Sequence, residues 1–299
     1  MFENVSIIGC GLIGSSVFRA LKKNGLAKTV ITFDNNKSVS EIIKKENLSD
    51  RIVSSPEEAV SNADLVLIST PLSSFESAVD SIKKNLKLGS ILTDTSSVKK
   101  GANAIIKKMN LKNISWVPSH PVAGTEKSGP GAGSPDLFKD RWTILTPDSE
   151  VKNSDIKKIS LFWESMGSKV KIMSAEDHDR ILSLTSHLPH VIAYNIVKTA
   201  MGDDEKMKKD VIRYSAGGLR DFTRIAASNP IMWKDIFIDN SDLIIDGINK
   251  FSKSLDEFKK AITEKDSKKL LEIFKKSKEF REAIIKAGQD TDKPGFGRK

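Results

Sequence analysis

The chain has 299 residues, 38% of them hydrophobic, which allows two ordinary domains with packed cores. Its 48 lysines and arginines exceed its 39 acidic residues, giving a net charge of +9. The lysines are scattered over polar faces of predicted helices, without the dense basic block and interleaved aromatics that mark most nucleic-acid binders. A lysine-rich surface, whose field also favours small anionic ligands, fits this pattern better.

Cysteine usage and hydropathy indicate where the protein works. The single cysteine, Cys10, excludes an internal disulfide and fits a reducing compartment. The chain shows no charged-then-apolar leader, and no apolar run reaches the ~20 residues that a membrane-spanning helix needs. We therefore expect a cytoplasmic protein that binds neither membrane nor nucleic acid.

Short β-branched runs alternate with helical patterns through the first half of the chain. The predicted strands are 5–9, 29–34, 51–53, 64–70, 90–95, 114–118, 142–145 and 169–173. Strand-helix alternation of this kind predicts an α/β fold with one parallel, doubly wound sheet, that is, a Rossmann domain.

After about residue 174 the strand signals largely disappear. Helices are predicted over 176–201, 204–214, 230–249, 251–263 and 266–287, and the last dozen residues are predicted to form a loose tail. Asn229 before Pro230 is an N-cap with proline at the first helical position. The chain is thus predicted to hold a dinucleotide-binding domain over 1–174 and an all-helical domain over 175–299.

The first predicted strand runs into a glycine turn that opens a helix. Gly9, Gly11 and Gly14 have the spacing of the dinucleotide fingerprint. The first glycine makes the turn, the second admits the pyrophosphate and the third lets the helix pack on the strand. The helix start at Leu12 and Ile13 then offers N–H groups to the phosphates.

Asp34 ends the second strand, twenty residues beyond Gly14. A carboxylate there can accept both ribose hydroxyls and repels a 2′-phosphate. Asn35 and Asn36 provide no arginine clamp for that phosphate, so NAD is favoured, although Lys37 leaves NADP open. Thr70, at the end of another strand, is assigned to the same cofactor site.

A dehydrogenase needs a base that takes a hydroxyl proton while hydride leaves the same carbon, and histidine suits this task at neutral pH. Of the four histidines, His120 follows the strand 114–118 at the carboxyl edge of the predicted sheet, where such sheets bind ligands. His178 stands in an acidic stretch, but its spacing matches no metal motif. We expect no metal and assign His178 no part in the chemistry.

Four sequence blocks are specific in combination. They are 94–99 (DTSSVK), 120–129 (HPVAGTEKSG), 186–190 (SHLPH), and 221–226 (DFTRIA) with 230–233 (PIMW). Together they resemble the prephenate/arogenate (cyclohexadienyl) dehydrogenase family of tyrosine biosynthesis, from the glycine loop to about Phe258. The resemblance implies NAD-dependent oxidative decarboxylation of prephenate, with arogenate open as a second substrate, by a homodimer formed through the helical domain.

The resemblance also implies roles for individual residues. His120 resembles the catalytic base, and Ser97 resembles the serine that contacts the same substrate hydroxyl and the nicotinamide region. Arg224 resembles the arginine that grips the side-chain carboxylate of the substrate with its planar fork. The others resemble residues near the ring carboxylate (Ser186, His190 and Thr125), ionic partners of Arg224 (Glu126 and Asp221) and an aromatic supplied across the dimer interface (Trp233).

Other interpretations stay open. Pro189, between His187 and His190, removes a helical N–H and indicates either a functional bend or a kinked core helix. A 3-hydroxyacid dehydrogenase has the same Rossmann-plus-helical order, but it commonly carries a catalytic lysine on a C-terminal-domain helix. A non-catalytic NAD-responsive regulator has only the basic charge in its favour.

Overall fold

The computed structural model describes residues 2–202 and 204–288. By packing, the chain divides into two compact units, Met1–Ile244 and Ile245–Lys299. Nearly all of the predicted loose tail lies outside the described residues. Within the described ranges, no helix has both the length and the apolar character needed to cross a membrane.

A five-stranded parallel sheet forms the centre of the first unit, in the order β2-β1-β3-β4-β5. The strands are β1 Asn4–Ile8, β2 Thr29–Phe33, β3 Leu65–Ile68, β4 Ile91–Asp94 and β5 Ser115–Trp116. Every residue of β3 and β4 is buried, as expected for strands covered on both faces. This is the Rossmann arrangement that the alternating pattern predicts.

Helices cover both faces of this sheet. They are α1 Leu12–Lys23, α2 Lys37–Lys45, α3 Pro56–Val60, α4 Leu72–Ile82, α5 Lys99–Met109 and α6 Asn153–Ser165. Alternate residues of β1 enter different apolar clusters: Ile7 packs with Leu21 and Trp163, whereas Ile8 packs with Phe75. The two clusters are the two sides of the sheet, because successive strand side chains point to opposite faces.

The prediction of one continuous sheet is wrong. Three strands form a separate sheet, β6 Ser119–Pro121, β7 Trp142–Leu145 and β8 Lys169–Ile172, in which β6 is antiparallel to β7 and β7 is parallel to β8. The chain leaves the first sheet after a β5 of only two residues, where Pro118 has no N–H for a strand ladder.

The strand predicted at 51–53 is also absent from the structure. The N–H groups of β2 on that side are used by side chains instead. Asp50 Oδ2 accepts from the Val30 N–H at 2.7 Å, and Ser49 Oγ accepts from the Thr32 N–H at 3.0 Å. Because these side chains occupy the edge, no further strand pairs with β2 there.

The rest of the described chain is helical. Its helices are α7 Ala175–Leu182, α8 Leu188–Met201, α9 Glu205–Tyr214, α10 Gly217–Thr223, α11 Pro230–Asp239, α12 Ser241–Thr263 and α13 Ser267–Lys286. A π turn, Ser183–His187, joins α7 to α8 and ends two residues before Pro189, so the regular helical hydrogen bonding is interrupted there. The predicted break near residue 250 is wrong: α11 ends at Asp239 with Asn240 as its C-cap, and α12 runs without interruption from Ser241 to Thr263.

Candidate active site

A cleft of about 470 Å³ opens at the carboxyl ends of β1, β3 and β4. Its walls are Rossmann loops on one side and residues from the π turn, α8 and α11 on the other, all within the first unit. Most of the predicted site residues line it: Gly11, Leu12, Ile13, Thr70, Ser97, His120, Thr125, Glu126, Ser186, His190, Arg224 and Trp233. This is the carboxyl edge at which open α/β sheets bind ligands.

The glycine loop has the geometry of a dinucleotide cradle. Gly9 has φ +95°, and a Cβ there would lie 2.6 Å from the Ser69 carbonyl oxygen, while a Cβ on Gly14 would overlap the Gly9 carbonyl. By contrast, no described atom lies within 4 Å of where a Cβ on Gly11 would stand. The loop thus packs tightly against its own strand and leaves open space at Gly11, where a pyrophosphate would approach.

Two further observations fit a phosphate-bearing cofactor at this loop. Helix α1 begins at Leu12 with no side-chain cap on its first N–H groups, which leaves them available to an anion. The hydroxyl of Thr70, at the same end of the sheet, is buried without a hydrogen-bond partner among the described residues. A bound dinucleotide can provide hydrogen-bond acceptors for the N–H groups of α1 and a hydrogen-bond partner for the Thr70 hydroxyl.

Asp34 is fixed beside the loop by two backbone groups. One carboxylate oxygen accepts from the Cys10 N–H and the other from the Asn36 N–H, each at 2.9 Å. Asp34 also borders a smaller pocket at the end of β2. Burial, and to a lesser extent the charge of Asp34, raises the pKa of the Cys10 thiol to about 12. This side chain is therefore a neutral packing residue.

His120 follows β5 along the chain, as predicted, but it lies on a strand of its own, β6, in the second sheet. Ser97 lies in the segment between β4 and α5 and is only partly buried. The two residues line the same cleft because β6 is bonded to the end of β4: the Ser119 N–H donates to Asp94 Oδ1 at 2.9 Å.

His178, which was assigned no part in the chemistry, lies in contact with His120. Its Nε2 lies 2.8 Å from Nδ1 of His120, and its Nδ1 lies 2.7 Å from Oδ1 of Asp179. His178 and Asp179 are fully buried, and His120 is 8% exposed. The only sequence signal was the acidic stretch itself, whose partner is 58 residues away along the chain.

Burial sets the charge of this group. The pKa of His120 is lowered well below 6.5, chiefly by burial. Its neighbours His178, Lys99 and His187 lower it further. Burial also lowers the pKa of His178, against the hydrogen bond to Asp179. For Asp179, burial opposes ionisation, but the hydrogen bond from His178 and those from two backbone N–H groups lower the pKa. At neutral pH the cluster is therefore an ionised carboxylate and two neutral imidazoles.

A buried ion pair between Asp94 and Lys99 stabilises the segments that carry Ser97 and His120. Lys99 Nζ lies 2.6 Å from Asp94 Oδ2 and donates to the Ser119 carbonyl at 2.7 Å, and both charged side chains are completely buried. Burial lowers the pKa of Lys99, and Asp94 opposes this effect. Since Asp94 ends β4 and Lys99 begins α5, the pair fixes the segment that carries Ser97 against the strand that carries His120.

On the helical wall, His190 and Trp233 form one unit. His190 Nδ1 donates to the Ser186 carbonyl at 2.8 Å, and burial lowers the pKa of His190. The Trp233 ring stacks on His190 with ring centroids 3.4 Å apart and 21° between the planes. Within its own chain Trp233 is buried against Val98 and Ile236, and the expectation that this aromatic is supplied across a dimer interface stays a prediction.

Arg224 lies at the edge of the cleft, opposite the loop that follows β6. Its Nη1 is 3.0 Å from Glu126 Oε2, the expected ionic contact, and both side chains are partly exposed. Asp221 is bound by its neighbour instead: Arg220 Nε is 2.9 Å from Asp221 Oδ1. Asp221 does not line the cleft, and Arg224 acts on it only through its charge, which adds to the lowering of the Asp221 pKa by Arg220.

Similarity to known proteins covers nearly the whole chain. The family models "Prephenate dehydrogenase, nucleotide-binding domain" and "Prephenate dehydrogenase, dimerization domain" match residues 17–172 and 174–276. The cyclohexadienyl dehydrogenase of Zymomonas mobilis is 41% identical over 286 residues, 95% of this chain and 97% of that protein. The prephenate dehydrogenase of Bacillus subtilis is 30% identical over 289 residues, 95% of this chain and 76% of that protein.

A solved structure resembles this fold closely. The crystal structure of prephenate dehydrogenase from A. aeolicus, in complex with hydroxyphenyl propionate and NAD+, superposes with a TM-score of 0.87 at 32% identity. The superposition covers 95% of this chain and 99% of that one.

Proposed function

The chain belongs to the prephenate dehydrogenase family, and on this premise we propose that it oxidises prephenate with NAD to 4-hydroxyphenylpyruvate and carbon dioxide, in tyrosine biosynthesis. The observation that carries the proposal is one cleft that holds a neutral, buried histidine, the glycine loop and an arginine. The histidine can take the proton of a substrate hydroxyl, the glycine loop can bind a dinucleotide, and the arginine can bind a substrate carboxylate.

The proposed reaction uses His120 as the base. Its free ring nitrogen takes the proton of the substrate's ring hydroxyl, to which Ser97 is also assigned. NAD, when bound, accepts the hydride from the carbon that bears this hydroxyl. The carboxylate at the opposite ring carbon leaves as carbon dioxide, and its bonding electrons complete the aromatic ring, which makes the step effectively irreversible. The ring oxygen, left as a phenolate, takes the proton back from His120.

The helical wall and the loop after β6 are assigned to substrate binding. Arg224 would bind the side-chain carboxylate with two parallel hydrogen bonds, with Glu126 holding the guanidinium in place. Ser186, His190 and Thr125 are assigned to the ring carboxylate, and Trp233 supports the His190 ring by stacking. The net charge of +9 favours the approach of a doubly charged anion.

NAD is the proposed cofactor. The bonds that hold Asp34 place a carboxylate beside the loop, where it would bind ribose hydroxyls and repel a 2′-phosphate. Arogenate differs from prephenate only in carrying an amine in place of the keto group. We propose that it is a second substrate, in line with the name of the Zymomonas mobilis relative.

The alternatives from the sequence analysis gain no support from the site. Among the described residues that line the cleft, the helical wall provides no lysine, which a 3-hydroxyacid dehydrogenase would place there. A non-catalytic regulator would not need a buried base next to the cofactor loop. We also propose a homodimer, whereas the cytoplasmic location and the domain boundary near residue 174 stay predictions.

Kinetics test the proposal directly. The purified chain should form NADH with prephenate and NAD, and should work less well with NADP. His120→Asn should still bind NAD but lose turnover by about 100-fold or more, because the proton has no acceptor. Activity with arogenate and NADP alone would contradict the assignment, and turnover retained by the variant would remove His120 from the role of base.

A further inference from the structure

We propose that His178 and Asp179 act through His120: they hold its ring in the tautomer that offers Nε2 to the substrate, and His178 accepts the proton that His120 then gives up from Nδ1. The inference rests on the proposed function, because it assigns helpers to the proposed base. The proposed relay has three buried side chains, His120 from β6 and His178 and Asp179 from α7.

The direction of each hydrogen bond follows from the acceptor at the end. The carboxylate of Asp179 can only accept, so the 2.7 Å contact requires a hydrogen on Nδ1 of His178. A neutral His178 then has its lone pair on Nε2. The 2.8 Å contact to His120 therefore requires a hydrogen on Nδ1 of His120, which leaves the lone pair of His120 on Nε2.

The charges around the pair favour moving positive charge away from His120. The groups that act on these imidazoles are Lys99, His187, Asp94 and Asp179. Lys99 lowers the pKa of both imidazoles, but only the pKa of His178 is raised by carboxylates, those of Asp179, which is bonded to it directly, and Asp94. An imidazolium is therefore better placed at His178 than at His120.

The proposed proton transfer balances. One proton enters His120 at Nε2 from the substrate hydroxyl, and one leaves His120 from Nδ1 to Nε2 of His178. His120 ends neutral, and His178 ends as an imidazolium with both nitrogens protonated and Nδ1 on Asp179. When the carboxylate leaves, the ring oxygen becomes a phenolate, and reversal of the two transfers returns the proton to it, so that the product leaves as a phenol.

Asp179 has a second contact that the test must separate from the relay. Its carboxylate accepts from the Lys99 and Lys100 N–H groups at 2.8 and 3.0 Å, and so binds the first turn of α5. A purely structural role would lower stability without changing the tautomer of His120. Activity alone cannot distinguish the two roles, so the ring nitrogens have to be observed.

The first measurement compares substitutions of His178. His178→Leu should lower kcat by about 100-fold with KM changed less than about threefold, because it removes the acceptor for Nδ1–H. His178→Gln should recover roughly tenfold of this loss, because its amide oxygen still accepts that hydrogen but takes no proton. Asp177→Asn, an exposed change on the same helix, is the matched control and should behave as wild type.

The second measurement is ¹⁵N NMR of the histidine rings in the NAD-loaded protein. The chain has only four histidines, so single variants assign the signals. We expect His120 with a protonated Nδ1 and a free Nε2 at neutral pH. Asp179→Ala removes the acceptor of the His178 Nδ1–H, so neither ring should keep this single tautomer, with kcat lowered by about 100-fold or more.

The outcomes separate the inference from the proposed function. Wild-type kcat in His178→Leu, equal rates in the two His178 variants, or a protonated Nε2 on His120 in the wild type would each overturn the relay. Absence of prephenate turnover in the wild type would overturn the proposed function instead. The ring tautomers of the unsubstituted protein would still decide the inference, even if a variant failed to fold.

Discussion

His187 lies at the end of the π turn, 1% exposed, and outside the cleft lining. Its Nδ1 is 3.0 Å from the amide nitrogen of Asn240, which also donates to the Asp179 carbonyl. The amide must be the donor, so the ring hydrogen is on Nε2, which has no partner among the described residues. Burial, opposed by Asp179, lowers the pKa of His187 to about 4.

This burial predicts an acid-sensitive fold. The folded pKa of about 4 lies below the unfolded value of 6.5, so the unfolded chain binds more protons as pH falls below 6.5. Stability is therefore full above pH 6.5 and is lost between 6.5 and about 4, with about 1 kcal/mol lost through His187 at pH 5.5. Burial also lowers the pKa of the other histidines, His120, His178 and His190.

His187→Asn tests this origin. Its side-chain oxygen can still accept from Asn240, but it does not titrate. Urea unfolding at pH 7.5 and 5.5 should show a smaller pH dependence in the variant, by about 1 kcal/mol, while the remaining histidines preserve part of the slope. Equal slopes in the two proteins would show that His187 is not the source.

At the scale of elements, helix α1 holds the end of the loop after β6, whose first part, up to Gly129, lines the cleft on the side proposed to bind substrate. The Pro130 carbonyl accepts from Ser15 Oγ at 3.1 Å and from Arg19 Nη1 at 2.9 Å. The Ser134 N–H donates to Ser16 Oγ at 3.0 Å. Because α1 also begins at the glycine loop, one helix anchors both the cofactor side and the substrate side.

Gly133→Ala should weaken this anchor. The new Cβ would overlap Ser15 Oγ and lie 2.6 Å from Arg19 Nη1, so both donors to Pro130 would have to move. We expect unfolding stability to fall by about 1 kcal/mol and KM for prephenate to rise several-fold, with kcat less affected.

Gly131→Ala is the matched control, because the nearest described atom to its Cβ is Glu46 Oε1 at 3.8 Å. Thermal unfolding and steady-state kinetics on the two variants make the comparison. If both glycine variants matched the wild type, the contact between loop and helix would not constrain the substrate side.

The sequence predicts elements well where the signal is local. The strand at 142–145 is found at its predicted bounds, and the N-cap at Asn229 accepts from two backbone N–H groups as expected. Strand β6 is three residues long and ends in proline, so it has no alternating pattern to detect. The helix break at Asn240 depends on contacts with Asp179 and His187, which lie far away along the chain.

The same distinction applies to the site. The glycine loop and Asp34 follow from spacing, because one turn and one strand place them. A role for His178 can be inferred only from its contact with His120, and this contact depends on how α7 packs against β6. Asp221 shows the converse: a family position predicted Arg224 as its partner, but the adjacent Arg220 competes for it locally.

At the scale of the whole molecule, the second unit leaves large apolar side chains more than half exposed. They are Ile245, Leu255, Ile262, Leu271, Phe274 and Phe280. Exposed apolar groups of this number on one unit usually mark an interaction surface. The family description of residues 174–276 as a dimerization domain indicates a second copy of the chain as the occupant.

The purified protein should therefore have twice the chain mass of 33.0 kDa in light scattering at assay concentrations. Leu271→Asp should shift the population towards monomer, because a carboxylate cannot be buried without a partner. Lys276→Asp, on the same helix in an exposed ion pair with Glu272, is the matched control and should leave the mass unchanged. A wild-type protein with the mass of a single chain across this range would contradict the proposed homodimer, and dimers in both variants would place the interface away from Leu271.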